Sequence, residues 1–375
     1  MAKPYISIYL RNSNEGPSCY YRIMQYINEM QDYDFRVNNA FTTKEYQKNI
    51  NIKSIFVKRI YQLMLLIKVM YRRHRDIIYD VKHSPACIII SREVFPRFAF
   101  QFLHKELLKL LKTHKVIWDF DDDIAAFGEI SKTEMENLEK YSNHIIVTHK
   151  HLRGILKQEC YGKTVIMPTT DKGCRADELL KLIENRGKLL ETKVNLIWVG
   201  TSNNLEFLET IIEILDKTAD KIKNNLGRDV VLNIVCNMPY HPKKSVCHIQ
   251  IKNYKWSRDK AKEKMLYSHV GIMPLKQSRI AEGKGAFKLI QYLSYGLPVI
   301  ASPVGFNKKV VDDHCGCLAD TDEEWTDALT KLITDISLWK RYAQAARDNY
   351  EINFSFANNL SIWEKLLGQT VENCD

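Results

Sequence analysis

The stretch GKGAFKLIQYLSYGLPVIASPVG, residues 283–305, reads as a glycine-rich loop, a short amphipathic helix, a Gly-Leu-Pro stop and an apolar strand ending at another glycine. Gly283 and Gly285 permit close approach of backbone to a ligand, and the first turn of the helix offers N–H groups to an anion. Lys288, one turn in, adds a charge-assisted hydrogen bond suited to a phosphate. Gln291, three residues later, can donate to or accept from sugar hydroxyls. Gly296-Leu297-Pro298 then ends the helix and starts the strand. On residue chemistry alone this is a phosphate-and-sugar site; the competing reading is a solvated lysine on a surface helix.

Working outward, strand and helix patterns alternate along the chain. ISIYL (6–10), ACIIIS (86–91), KVIWDF (115–120), HIIVTH (144–149) and TVIMP (164–168) form one series. NLIWVG (195–200), VVLNIVC (230–236), HIQIKNY (248–254), VGIMPL (270–275) and PVIASP (298–303) form a second. Continuous apolar runs flanked by helices are those of parallel strands buried on both faces. Two successive series predict two doubly wound α/β domains facing across a cleft. The expected boundaries are 1–172 for the first domain, with a last helix at 355–375 crossing back to it, and 173–354 for the second. The polar, helical stretch from Lys172 to Glu191 is expected as the linker.

Composition bounds the class. The apolar share of 45% and the charged share of 27% belong to a soluble globular protein of 375 residues. The start MAKPYISIYL enters a strand pattern without a signal-peptide pattern, and no run of 18 apolar residues occurs, so a cytoplasmic protein is expected. The 9 cysteines are scattered and read as reduced thiols, and no zinc spacing is present. His149-x-His151 has no partner motif for a metal. The net charge of +10 implies an anionic partner. No nucleic-acid recognition module accompanies it, so nucleic acid is not the expected partner. KSIFVKRIYQLMLLIKVMYRRHR (53–75) carries seven Lys/Arg and no Asp or Glu, with Ile60, Leu63, Ile67 and Met70 at helical spacing. It is expected either to lie on an anionic membrane surface or to be a domain helix with a solvated basic face.

KLIQYLSYGLPVIASPVG resembles the nucleotide-sugar signature of GT-B glycosyltransferases, in particular glycosyltransferase family 4. That family commonly has a glutamate five residues before the glycine of G-x-P-V, where this chain has Gln291. The family's other glutamate falls on Gly283, with Glu282 adjacent. Gly16-Pro17-Ser18 with Arg22 resembles the glycine loop after the first strand, facing donor phosphates and acceptor. IWVGTSNN (197–204) resembles the strand opening the donor domain. Its loop in many relatives carries an arginine and a lysine; here Thr201 and Asn204 stand instead. SHVGIMPLKQ (268–277) and FSFANNLSIWEKLL (354–367) are similar to the strand before the signature and to the last helix. The resemblance implies a transferase of a sugar from a UDP, GDP or dTDP type donor to a glycan or lipid-linked acceptor in cell-envelope polysaccharide synthesis, without a required cofactor or metal. Expected donor-binding residues are Gly200, Thr201, Ser202, Glu282, Gly283, Lys284, Gly285, Lys288 and Gln291. Gly16, Ser18, Arg22 and Arg92 are expected on the acceptor and phosphate side.

WDFDDDIAAF (118–127) is the second place for chemistry. In many relatives a histidine here contacts the transferred sugar, and Asp121 or Asp122 takes that place. A carboxylate there can act as base or stabilise oxocarbenium charge; the alternative is that Asp121 to Asp123 cap a helix. Expected catalytic residues are thus Asp121, Asp122 and Lys288. Two alternatives stand beside this reading: an inactive sugar-nucleotide-binding protein of the same fold, and a metal-dependent GT-A-like transferase using the Asp119/Asp121 pair.

Overall fold

The computed structural model describes residues 3–371. The expected last helix, 355–375, therefore has its final four positions outside the described residues. The chain divides into two compact units, one ending at Thr169 and taking the chain up again at Ala357, the other running Thr170–Phe356.

The first unit is built on six parallel strands in the order β2-β1-β3-β4-β5-β6. These are β1 (Tyr5–Leu10), β2 (Asp34–Asn39), β3 (Cys87–Ser91), β4 (Val116–Phe120), β5 (His144–Val147) and β6 (Thr164–Ile166). Every residue of β3 and β4 is buried, because helices cover both faces of the sheet. The helix Phe356–Val371 is fastened to this unit by polar bonds as well as packing. Buried Trp363 donates from Nε1 to the Arg22 carbonyl at 3.1 Å, and Asn359 donates to the Pro168 carbonyl at 2.7 Å.

The second unit repeats the plan with the order β12-β11-β10-β7-β8-β9, again all parallel. Its strands are β7 (Lys193–Gly200), β8 (Asp229–Cys236), β9 (Ile249–Lys255), β10 (Val270–Met273), β11 (Val299–Ala301) and β12 (Gly316–Leu318). In each sheet the strand order reverses beside the opening strand, at β1/β3 and at β7/β10. Such reversal points leave a crevice outside the carboxyl ends of the strands, where open α/β sheets take ligands.

Two differences from the sequence reading have clear causes. β2 and β12 were not expected as strands: both are sheet edges, β2 is rich in polar residues (DFRVNN) and β12 has three residues, so neither carries the buried-strand pattern. The stretch 172–191 is not a linker. Its helix Leu179–Leu190 buries Leu179, Ile183 and Leu190 in the second unit. Arg186, 2% exposed, donates to the carbonyls of Met265, Leu266, Tyr295 and Gly296. Its many charged residues hid an i, i+4, i+11 apolar stripe.

Candidate active site

In the second unit the β7/β10 crevice gathers residues from three segments. β7 ends at Gly200, and the helix Phe287–Ser294 presents Lys288 to that end. A Cβ added at Gly200 would lie 3.0 Å from Lys288 Cε and 2.6 Å from the Trp198 ring, so the lysine stem uses the space the glycine leaves. Lys288 Nζ stands 5.6 Å from the Trp198 ring centroid, a cation–π contact that steadies the ammonium at the strand end. Lys284 reaches the same loop from the other side. It donates to Asn204 Oδ1 and lies 4.8 Å from the Phe207 ring centroid. The loop itself is braced: Asn237, after β8, accepts from the Ser202 backbone N–H at 2.8 Å, and Asn204 donates to Thr201 Oγ1 at 3.0 Å.

The turn into the helix differs from the glycine-based expectation. The left-handed residue is Ala286, with φ of +51°, while Gly283 ends the short helix Arg279–Glu282 at φ of −78°. Ala286 offers no side-chain cap, so the helix opening relies on other groups for its N–H donors. Glu282 turns away and accepts from Gln277 Nε2.

Gln291 faces inward. It is 3% exposed, and its amide donates to Asp171 Oδ2 at 2.8 Å. The Asp171 backbone carbonyl accepts from the Tyr350 hydroxyl. Burial raises the Asp171 carboxyl above its ordinary range, against the lowering effect of the Gln291 amide. Replacing Gln291 by glutamate is therefore expected to set two carboxylates against each other. Both pKa values then rise above their unfolded values near 4, so the variant keeps its stability below about pH 4 and loses it as pH rises. Melting temperatures should differ little from wild type at pH 4 and by several degrees at pH 7.5, a cost of about 1–3 kcal/mol. Equal melting at both pH values would show that the Gln291–Asp171 bond is not formed.

In the first unit the β1/β3 crevice holds a chain of ion pairs. Arg11, after β1, pairs with Glu93 at 2.7 Å and Glu129 at 2.9 Å. Arg92, after β3, pairs with Glu129 at 2.6 Å, with Asp122 at 3.2 Å and with Asp121. Ser18, from the loop after β1, donates to Asp121 Oδ2 at 2.5 Å. Behind this row Arg22, 1% exposed, grips Asp119 of β4 and donates to the Met167 carbonyl and Thr169 Oγ1 at 3.0 Å each. Arg22 lies in a π-helical turn, Tyr20–Met24. Gly16 is tight-fitting, since a Cβ there would lie 2.9 Å from the Asn12 carbonyl oxygen.

Arg92 holds φ of +67°, a left-handed conformation that costs a side-chain-bearing residue about 1–2 kcal/mol. Its backbone explains the fit: its N–H donates to the Asp119 carbonyl at 2.7 Å, and its carbonyl accepts from Trp118 Nε1 at 2.7 Å. Five carboxyl groups (Glu93, Asp119, Asp121, Asp122, Glu129) meet three guanidinium groups (Arg11, Arg22, Arg92), so the cluster has more acids than cations to neutralise them. Titration divides accordingly. Burial opposes ionisation of Asp121, but Arg92, Arg22 and the Ser18 hydroxyl outweigh it and leave its carboxyl below the ordinary range. Burial and then the Asp121 charge push Asp122 up to about 6. Burial also raises Asp119.

Of the residues expected from sequence, Gly200, Thr201, Ser202, Lys284 and Lys288 thus come together in one crevice, and Ser18, Arg92, Asp121 and Asp122 in the other. Gln291, Glu282 and Arg22 are engaged in internal bonds. Asp119 and Asp121 do not act as a pair, because each is held by a different guanidinium, which removes the basis of the D-x-D metal reading. Sequence reading missed Trp198, Phe207, Asn237 and Asp171 in one unit and Arg11, Glu93 and Glu129 in the other.

Residues 193–335 match the model of the family described as glycosyl transferases group 1, a span that begins with β7 and includes the Lys288 helix. No curated protein matches the chain. Among solved structures, a glycosyltransferase from Rickettsia africae ESF-5 is similar at a TM-score of 0.62 and 13% identity, over 100% of both chains. A sucrose-phosphate synthase from Thermosynechococcus elongatus is similar at 0.59 and 13%, over 98% of this chain and 99% of that one. An Anabaena protein solved in complex with UDP and glucose is similar at 0.56 and 10%, over 98% of this chain and 100% of that one. These neighbours establish the two-domain Rossmann-like GT-B fold, and the family match makes the enzyme class a glycosyltransferase.

Proposed function

We propose that this glycosyltransferase holds a nucleotide-diphosphate sugar in the β7/β10 crevice of residues 170–356 and passes the sugar to a hydroxyl of a glycan or lipid-linked acceptor served by the first unit. The observation that carries the reading is Lys288, laid across Gly200 and Trp198 so that its ammonium stands at the strand end where a diphosphate would meet backbone. As the sugar–oxygen bond breaks, negative charge grows on the departing diphosphate, and a fixed cation stabilises that charge more than it does the ground state. Lys284, held to Asn204, supplies a second cation at the loop. Gln291, buried against Asp171, positions the helix that carries Lys288.

On the acceptor side the division of pKa values favours Asp122 over Asp121 as proton acceptor. A carboxyl titrating near 6 is ionised at neutral pH yet basic enough to take a hydroxyl proton as the new sugar–oxygen bond forms. Asp121, held low by Arg92, stays a fixed anion. Transfer rate should then rise with pH through a limb near 6, and Asp122→Asn should abolish that limb and lower kcat by about 10²–10⁴-fold. A limb that survives in Asp122→Asn assigns it to another group. Donor identity is tested by thermal shift with UDP, GDP, dTDP and ADP, since a ligand of the native state raises Tm. No shift with any of them would overturn the donor-site reading.

A further inference from the structure

The helix Ile55–His83 has two faces with opposite fates. Leu65, Val69, Arg73, Asp76 and Asp80 point into the first unit, buried. On the opposite side Phe56, Ile60, Leu63, Ile67 and Tyr71 are all largely in water, Leu63 at 62%. Steps of 3, 4 and 7 residues place these on one stripe of about three turns and more. The stripe continues off the helix. His74 lies seven residues past Ile67, and its ring meets Phe102 edge-on at 6.0 Å. Phe102 stacks on Phe100 at 6.0 Å, and next to them Phe98 is 83% exposed. Residues 98–102 thus extend the apolar surface beyond the segment that sequence reading singled out.

Soluble chains rarely leave so many large apolar side chains together in water. Charge identifies what covers them. Lys53, Arg59, Arg97 and Lys105 are exposed at the margins, and residues 53–75 contain no acid. A second copy of the chain docked on this face would bring these cations against their own counterparts. An anionic bilayer instead offers acyl chains to the stripe and phosphate headgroups to its rim.

We propose that this face, the outer stripe of Ile55–His83 together with Phe98, Phe100 and Phe102, seats the protein on an anionic lipid surface. The inference does not depend on sugar transfer, because none of the side chains on this face is assigned to donor or acceptor chemistry.

The experiment is co-sedimentation of the full chain with vesicles of phosphatidylcholine alone and of phosphatidylcholine mixed with phosphatidylglycerol. Wild type should pellet with the anionic vesicles only. The triple change Ile60→Ser, Leu63→Ser, Ile67→Ser should weaken partition on the order of a hundredfold. Phe98→Ser with Phe100→Ser should act in the same direction, and Lys53→Gln with Arg59→Gln should cost about fivefold per charge. All these side chains are exposed, so Tm and nucleotide-induced shifts should stay at wild-type values. Failure of wild type to pellet, or equal pelleting after the apolar changes, would overturn the proposal. So would light scattering that shows a dimer which the same changes convert to monomer, without vesicle binding.

Discussion

Lys288→Ala is expected to lower kcat by about 10²–10³-fold, the loss typical when one fixed donor to a developing anion is removed. Donor affinity should fall less, by roughly tenfold, since the ground-state diphosphate also accepts a charge-assisted hydrogen bond there. Nucleotide release from the donor that gives the largest thermal shift measures both. The fold should tolerate the change. Lys288 is half-buried, and its stem rests on Trp198 and beside Gly200 without filling the core beneath the helix. Melting close to wild type with turnover lost would place the effect in the chemistry. Unchanged turnover would mean that the leaving diphosphate is stabilised elsewhere.

Arg92→Gln should be the most damaging single change in the first unit. One guanidinium there answers Asp121, Asp122 and Glu129, and its removal leaves carboxylates facing one another with little water. Removing one partner of a buried ion pair costs about 3–5 kcal/mol, roughly 10 °C in melting temperature for a chain of this size. Arg92→Gly separates charge from backbone. It relieves the left-handed conformation at φ of +67°, so it should recover about 1 kcal/mol relative to glutamine and still melt far below wild type. The pH dependence follows from the partners. Arg92 holds Asp121 and Glu129 below the ordinary carboxylate range despite their burial. Depressed carboxyls lend stability above their unfolded values near 4 and lose it as pH falls through the folded values. The gap between wild type and Arg92→Gln is thus widest near neutral pH and closes under acid. Equal melting at pH 7 would show that the ion-pair chain carries no stability.

How much of the site was legible in the sequence follows from the range over which its contacts are made. Lys288 and the loop at Gly200 stood out because glycine, apolar periodicity and a cation within one turn are local features. Gln291 looked like a sugar contact for the same reason, and nothing nearby indicated that Asp171, 120 positions earlier, takes its amide. Lys284 was visible as a lysine, but its reach to Asn204 spans 80 positions. In the acidic stretch, nothing local distinguishes Asp121 from Asp122. They differ because Arg92 and Ser18 approach Asp121 most closely, while burial and the Asp121 charge both oppose ionisation of Asp122.

The amino-acid sequence by itself determined the alternation of buried strands with helices, and hence two parallel sheets, because apolar period and run length act between neighbours along the chain. It also marked Lys288 near the start of a helix in the second unit, although not the left-handed Ala286 that begins it. Tertiary structure alone decided which strands end side by side, and so which charged groups share a crevice. Edge strands too polar or too short to signal themselves became strands only because a neighbour offered its free hydrogen-bonding edge. Charges far apart in the chain acquired their pKa values when burial made water unavailable and left only one another as partners.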